Sequence, residues 1–144
     1  MFTGGGIDST LTDGMIAAQL TGSYGSTPSD KIACGLLLLS PGVRYQLHTH
    51  AADEIYLCLS GTQRLQHGLE GTTFDLMPGQ YLHTLPHRLH SLQVTGAPVL
   101  LAYLWIGTLT DPSWWWSQDV SGSWIRAAWR RSVQGPWRPK HSKP

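Results

Sequence analysis

The stretch Tyr45–Gly61, YQLHTHAADEIYLCLSG, combines alternating apolar residues with two histidines, a glutamate and a tyrosine. Side chains of a β-strand alternate between its two faces, so His48 and His50 share one face of the first strand. Glu54 and Tyr56 share one face of the second strand if the residues AAD form the connection. All four side chains can then point into one cavity. The stretch therefore predicts a strand pair with a polar site on one face.

The sequence on both sides of this stretch consists of short strand-like segments. KIACGLLLLS precedes it, and TQRLQHGL, TTFDLMPGQ, YLHTLPHRLHSLQV and APVLLAYLWIG follow, with Gly and Pro at the turns. Short strands at close spacing favour an all-β sandwich or barrel. Helical periodicity is absent after residue 30. Before it, TDGMIAAQL (Thr12–Leu20) predicts one short helix, with Thr12 or Asp13 as its cap.

The 144 residues fit a single domain. Three parts are expected: an N-terminal arm (1–30), a barrel (31–110) and a Trp-rich, basic C-terminal extension (111–144). The extension contains six of the seven tryptophans, and its segment WIRAAWRR (Trp124–Arg131) predicts a short helix. A hydrophobic content of 41% with 13% charged residues excludes a disordered chain, and a net charge of +1 gives no overall bias toward nucleic acid.

Three features bear on the compartment. Cys34 and Cys58 lie in apolar runs and are expected to be buried free thiols, with one disulfide between them as the alternative. A reducing cytoplasm is therefore expected. The N-terminal segment MFTGGGIDSTLTDG lacks the pattern of a signal peptide, and the longest apolar run, ACGLLLLS, is too short to span a bilayer. We expect neither a membrane nor a nucleic acid as a partner.

Two imidazoles and a carboxylate are good ligands for a first-row transition metal. His48, His50 and Glu54 are therefore the predicted metal ligands. A fourth ligand is expected from elsewhere in the chain, and His90, which ends PGQYLHTLPHRLH, is the predicted one. Such a ligand set leaves positions open for substrate or water. It accepts Zn, Fe, Mn or Ni, and the sequence does not decide among them.

These spacings resemble the two motifs of the cupin superfamily over about residues 31–108. The pattern Gly42-x5-His48-x-His50-x3-Glu54-x6-Gly61 matches the first motif at every fixed position, and Gly79 followed eleven residues later by His90 fits the second. Inside the second motif the sequence departs from the family at three places: Gln80, the step Leu85-Pro86-His87, and Val94. The resemblance implies a small single-domain cupin, a double-stranded β-helix or jelly-roll barrel, with His48, His50, Glu54 and His90 as metal ligands.

A narrower resemblance rests on Tyr56, which extends the first motif to His-x-His-x3-Glu-x-Tyr-x4-Gly. With the later segment LLAYLWIGTLTDPSWW, it is similar to the cupin-type dimethylsulfoniopropionate lyases. The resemblance implies a metal-dependent β-elimination of a small sulfonium carboxylate, which yields dimethyl sulfide and acrylate with Tyr56 as the base. Aromatic faces attract onium groups. The candidate substrate-binding residues are Tyr45, Tyr81, His83, Tyr103 and Trp105.

Other functions stay open at this point, because a cupin fold does not name a reaction. The alternatives are another metal-dependent cupin enzyme, of the dioxygenase or isomerase type, and a non-catalytic ligand-binding cupin. A homodimer is expected, with apolar surface around Trp114–Trp116 as its interface. His67 and His141 are expected to face solvent, and His87 is expected to lie outside the cavity.

Overall fold

The computed structural model of the protein describes residues 8–132 and 135–139. One helix and twelve strands follow each other within these residues. Their bounds are α1 Ser9–Gly14, β1 Met15–Thr21, β2 Ile32–Leu39, β3 Arg44–Thr49, β4 Asp53–Ser60, β5 Gln63–His67, β6 Thr73–Leu76, β7 Tyr81–Thr84, β8 His90–Gln93, β9 Val99–Ile106, β10 Ser113–Gln118, β11 Trp124–Ser132 and β12 Gly135–Pro139.

The strands form two sheets in which each named strand pair is antiparallel. The five-stranded sheet has the order β1-β2-β9-β4-β7, and the seven-stranded sheet has the order β12-β11-β10-β3-β8-β5-β6. The buried apolar cluster draws residues from both sheets, so the two inner faces pack against each other. The prediction of an all-β sandwich or barrel is confirmed.

The two-residue alternation of strand β2 shows how the sequence creates these faces. Leu37 and Leu39 are buried in the sandwich, whereas Leu36 and Leu38 on the opposite face are 37% and 40% exposed. Inward leucines from the partner sheet complete the core, and burying each such side chain stabilises the fold by about 1.5–3 kcal/mol. The inner face therefore supplies most of the packing energy, while the outer face of the same strand stays apolar.

The helix predicted over Thr12–Leu20 is wrong in its bounds. Helix α1 is Ser9–Gly14, and the side chain of Asp8 caps it by accepting a hydrogen bond from the Thr10 backbone N–H at 2.9 Å. The rest of the predicted helix is strand β1, which pairs with β2 over its whole length. Pairing with an existing sheet edge overrides the local helix propensity of this short segment.

The short helix predicted over Trp124–Arg131 is also wrong. This segment lies in strand β11, which forms a hairpin with β10. The adjacent edge of β10 pairs with β3, so the hairpin continues the seven-stranded sheet. Strands β1 and β10 thus extend the two sheets beyond the limits expected at residues 31 and 110.

Both cysteines are free thiols, as predicted, and Cys58 is buried. Cys34 is only half-buried, because it lies on the outward side of β2, so its predicted burial is wrong. In the part of the chain that the structure describes, no helix has the length and apolar character needed to cross a membrane.

Candidate metal centre

Three histidines lie side by side across the inner face of the seven-stranded sheet. His48 on β3 pairs with His90 on β8, and His90 pairs in turn with His67 on β5. The register of β3 shifts between Tyr45 and His48, which is typical of a β-bulge. Because of this shift Tyr45 and His48 are both buried, although they are three residues apart. His50 follows directly after β3 and is buried as well.

The facing sheet places a carboxylate opposite these rings. Glu54 on β4 lies between Trp105 on β9 and Thr84 on β7 in the strand register. Its side chain is fully buried, and the Trp105 indole Nε1 donates a hydrogen bond of 2.5 Å to its Oε2. Tyr56 occupies the next inward position and pairs with Tyr103. The two sheets therefore contribute different chemistry, imidazoles from one and a carboxylate with a phenol from the other.

Backbone carbonyls fix the orientation of three of the imidazoles. In each of His48, His50 and His90 the Nδ1 atom lies within hydrogen-bond distance of a carbonyl oxygen two residues away. The acceptors are Gln46 at 2.7 Å, Ala52 at 2.9 Å and Arg88 at 2.8 Å, respectively. A carbonyl oxygen only accepts, so each Nδ1 carries the proton and donates it. In a neutral ring, Nε2 then presents its lone pair to the interior.

These Nε2 atoms converge on one point. Ligand atoms of the three histidines lie within 4.8 Å of one another, and all three side chains are buried. Within residues 8–132 their Nε2 atoms have no hydrogen-bond partner that satisfies normal geometry. The Glu54 carboxylate approaches them, with Oε2 3.3 Å from His50 Nε2 and Oε1 3.4 Å from His90 Nε2. Three nitrogen lone pairs and one carboxylate oxygen fit a first-row transition metal.

The site's electrostatics match this assignment. Burial, reinforced by the charges of His90 and His50, holds the pKa of His48 well below its usual value. Burial also favours the neutral form of His50, but the close contact with the negatively charged Glu54 carboxylate outweighs it and raises the pKa of His50. Burial would raise the pKa of Glu54, yet contacts with His50 and His90 outweigh burial and hold that pKa well below its usual value. Glu54 is therefore a carboxylate, and its charge stabilises the protonated form of His50.

Tyr56 lies beside this carboxylate in a dry environment. Burial, followed by the negative charge of Glu54, raises the pKa of Tyr56 well above its usual value. The phenol is therefore protonated at neutral pH while Glu54 carries an unneutralised charge. A positive charge next to Glu54 would act in the opposite direction and favour the phenolate.

A cavity of about 290 Å³ adjoins the cluster on the side of strands β1, β2 and β9. Tyr45, Tyr56 and Trp105 belong to its wall and also border the ligand residues. The Tyr45 ring lies 4.3 Å from the ring of His48, and the Trp105 ring lies 4.4 Å from that of His50, centroid to centroid. The remaining lining residues are Met15, Ala17, Gln19, Ser23, Tyr24, Ala33, Leu37, Tyr103, Leu109, Thr110, Asp111 and Ser113.

Two of the predicted substrate-binding residues lie outside this cavity. Tyr81 is 71% exposed, and the side chain of His83 is 46% exposed and contacts Asp53 through Nε2 and Oδ1 at 2.6 Å. The alternation of β7 explains the correction, because Leu82 and Thr84 take the inward positions and Tyr81 and His83 the outward ones. Tyr45, Tyr103 and Trp105, by contrast, all line the cavity.

Two residues near the site were missed by the sequence interpretation. His67 was expected to face solvent, but it is half-buried on the inner face, with Nε2 3.4 Å from Thr84 Oγ1. His67 lies two and four residues after the buried Leu65 and Gln63 on β5, and this alternation could have predicted its inward position. Trp115 is buried, and its ring stacks 5.1 Å from the ring of His48.

The other expected positions have mixed outcomes. Trp114 and Trp116 lie on the opposite face of β10 from Trp115, with the Arg126 guanidinium 4.4 Å above the Trp114 ring. They therefore belong to the hairpin's own packing, and a dimer interface there stays a prediction. His87 is exposed in the turn between β7 and β8, and His141 lies outside the described residues.

Comparisons with known proteins indicate the family of this chain. The family model described as dimethylsulfoniopropionate (DMSP) lyase matches residues 3–101. A solved DMSP lyase, DddQ from Ruegeria pomeroyi DSS-3, superposes with a TM-score of 0.69 at 24% identity, over 76% of this chain and 55% of that protein. A structure from a study of the DMSP lyases RdDddP and RnDddQII gives a TM-score of 0.61 at 24% identity, over 69% of this chain and 51% of that one.

A cupin superfamily protein from Desulfitobacterium hafniense DCB-2 has a TM-score of 0.55 at 17% identity, over 64% of this chain and 76% of that protein. No curated protein matches the sequence. The chain spans about half the length of the two solved lyases. These likenesses show that the sandwich is a cupin fold, as predicted.

Proposed function

We propose that this chain, which belongs to the dimethylsulfoniopropionate lyase family, cleaves DMSP to dimethyl sulfide and acrylate. One observation carries the proposal beyond family membership. A cavity of about 290 Å³ is walled by tyrosines and a tryptophan, and two of these aromatic residues, Tyr45 and Trp105, also contact His48 and His50 of the buried histidine cluster. The size of the cavity suits a small carboxylate with a sulfonium group, and its chemistry offers contacts for both ends of that substrate.

His48, His50, Glu54 and His90 are the proposed ligands of one divalent transition metal. The fit rests on the fixed tautomers of the three rings and on the unpartnered Nε2 atoms among the described residues. When bound, such an ion supplies Lewis acidity toward the substrate carboxylate and a positive charge beside Tyr56. Trp105 keeps Glu54 in position through its hydrogen bond to Oε2. The experiment described below compares Zn, Fe, Mn and Ni as the bound metal.

Tyr56 is the proposed general base. Its phenolate oxygen takes a proton from the carbon next to the substrate carboxylate, and the electron pair of that C–H bond forms the new C=C bond. The C–S bond breaks, and its electron pair leaves with dimethyl sulfide, so acrylate remains. Burial and the charge of Glu54 keep the Tyr56 pKa high in the free protein. The phenol proton must therefore be lost before the elimination. Tyr56 is thus expected to act as a base only when a metal ion is bound to the proposed ligands.

The sulfonium group is proposed to lie against the aromatic wall. Tyr45, Tyr103 and Trp105 line the cavity, and their ring faces attract an onium group by cation–π interaction. Gln19 Nε2 lies 3.5 Å from the Tyr103 hydroxyl and holds that ring from the β1 side. Tyr81 and His83 have no part in this proposal because they project from the outer face.

The test measures dimethyl sulfide in the headspace over metal-depleted protein reloaded separately with Zn, Fe(II), Mn or Ni. Tyr56→Phe should reduce release by about 10²- to 10⁴-fold, the usual contribution of a general base. Metal content and substrate affinity should stay near those of the unaltered protein. Tyr81→Phe is the matched control, because it removes a phenol from the solvent-exposed face, and it should retain full activity.

Two outcomes would contradict parts of this proposal. Full activity of Tyr56→Phe would remove Tyr56 as the base while leaving the lyase reaction in place. No release with any of the four metals would overturn the lyase function. Metal content of His48→Ala then tests the ligand set by itself, since a stoichiometric ion in that variant would show that His48 is not a ligand.

A further inference from the structure

The outer face of the five-stranded sheet is apolar over most of its strands. We call this the outer sheet face, and its members are the outward residues of β1, β2, β9, β4 and β7. Nine of its large apolar side chains are at least one-third exposed: Ile16, Leu20, Ile32, Leu36, Leu38, Leu57, Leu59, Tyr81 and Ile106. A soluble sandwich usually alternates apolar inward and polar outward residues, so a face of this composition indicates a covered surface.

Charge is nearly absent from this face. Among the outward positions of its five strands the ionisable side chains other than Cys34 and Tyr81 are Asp53 and His83, at the β4–β7 end, and they pair with each other at 2.6 Å. No Lys or Arg occupies an outward position on these strands. Covering the centre of the face therefore requires no desolvation of an unpaired charge, and a basic rim that would attract an anionic membrane is missing there.

We propose that a second copy of this chain packs on the outer sheet face, in a two-fold symmetric dimer. The five strands β1, β2, β9, β4 and β7 hold seven, eight, eight, eight and four residues. A strand spacing of about 4.8 Å and a rise of about 3.3 Å per residue give them a face of roughly 550 Å². Two such faces bury roughly 1,100 Å², which is above the roughly 1,000 Å² that a biological interface should clear and more than most crystal contacts bury. An isologous contact presents the same patch twice, and this uncharged patch meets its own copy without electrostatic conflict.

One leucine on the second strand of the face stands above its neighbours. Leu36 on β2 lies between Ala18 on β1 and Ala102 on β9 in the strand register. Its two neighbours end at Cβ, so the leucine projects above them, and the alanines leave space beside it. A leucine flanked by small residues on one copy can enter the corresponding space on the other. Leu36 is therefore expected to be covered by the second copy in such an interface.

Cys34 supplies a natural reporter for the same face. It lies on the outward side of β2, two residues from Leu36, and its thiol is free and half-buried in the single chain. Cys58 is buried in the core, and burial raises the pKa of its thiol. Thiol labelling of the folded protein should therefore report on Cys34, and a second copy on the outer sheet face should protect it.

The experiment combines sedimentation velocity with the rate of Cys34 labelling over a series of protein concentrations. We expect a dimer whose dissociation on dilution exposes Cys34 and speeds its labelling. Leu36→Glu should raise the dimer dissociation constant by at least about 100-fold, because each dimer would bury two unpaired carboxylates. Leu69→Glu, at a 42% exposed leucine in the loop after β5, is the matched control and should leave the dimer intact.

Several results would overturn the proposal, and none of them depends on lyase activity. A monomer at every concentration would do so, as would a dimer that labels Cys34 as fast as the monomer. A dimer weakened by Leu69→Glu and unaffected by Leu36→Glu would place the interface elsewhere. Monomeric protein that co-sediments with phosphatidylcholine vesicles would assign the face to a lipid surface. If Leu36→Glu lowers the melting temperature strongly, this variant is not used, and the Cys34 labelling rates of the unaltered protein test the proposed interface.

Discussion

Replacing Trp105 with Phe removes one hydrogen-bond donor from Glu54 and leaves an aromatic ring in its place. The Trp105 Nε1–H donates to Glu54 Oε2 at 2.5 Å, and the carboxylate is fully buried. The indole also lies against His50, with the ring centroids 4.4 Å apart, and a phenyl ring can keep much of this contact. The substitution therefore tests the hydrogen bond more than the packing.

The expected magnitude follows from the charge and burial of the acceptor. A hydrogen bond to a charged group contributes about 1.5–3 kcal/mol, and more is lost when a buried acceptor has no replacement donor. In the variant, Oε2 keeps its contact with His50 Nε2, at 3.3 Å. Glu54 should then be less well oriented as a ligand, and metal affinity should fall about 10- to 100-fold, as is usual when a group that positions a ligand is removed.

Competition with a chromophoric zinc chelator measures this affinity directly. Trp116→Phe is the matched control, because Trp116 lies on the opposite face of β10 and contacts Arg126 rather than the ligand cluster. We expect its affinity to equal that of the unaltered protein. Circular dichroism establishes that each variant is folded. Unchanged zinc affinity in a folded Trp105→Phe protein would refute the idea that this indole holds Glu54 in position for a metal.

Two further predictions concern pH and backbone strain. Metal affinity should fall as the pH drops through the raised pKa of His50, because Nε2 binds an ion only after it has lost the proton that Glu54 stabilises. The same chelator assay between about pH 5 and 8 measures this change. An affinity that does not change over this range would contradict the prediction. Gly61→Ala should lower the melting temperature more than Gly79→Ala, with both variants compared by thermal unfolding. Both glycines have positive φ, which costs an alanine about 1–2 kcal/mol. Of the two, only Gly61 would bring the new Cβ against a backbone atom, the Pro98 carbonyl oxygen, so equal losses would count against this reasoning.

The candidate ligand set was predictable because two short-range rules suffice for it. The period of two puts His48 and His50 on one face whatever the rest of the chain does, and the same rule joins Glu54 to Tyr56. His90 needed more, since its position depends on which strands are neighbours. The spacing from Gly79 carried that information through the family motif. In the structure, His90 on β8 pairs directly with His48 on the neighbouring strand β3.

The sequence interpretation failed where the outcome depends on longer-range pairing. Met15–Thr21 has no strong strand signal of its own, and it becomes a strand because the edge of β2 is available. Tyr81 and His83 were named as candidate substrate-binding residues, but the face of each residue on β7 depends on the register of β7 with β4, which the sequence does not state. His67 reaches the inner face for the same reason, through its pairing with His90. For residues near a motif, the inward or outward direction of the side chain can thus be predicted only when the neighbouring strands are known.

The ligand cluster and the neighbouring cavity depend on different parts of the chain. The cluster is built by β3, β4 and β8, all within the segment that the cupin motifs cover. The cavity is completed by Met15, Ala17 and Gln19 on β1 and by Asp111 and Ser113 at the entry to β10, which lie in the expected arm and extension. Changes in those outer segments alter the shape of the cavity without touching a ligand residue. In the proposed lyase, substrate selectivity can therefore vary independently of the proposed metal site, which is why the motif residues alone predict the candidate ligands better than they predict the substrate.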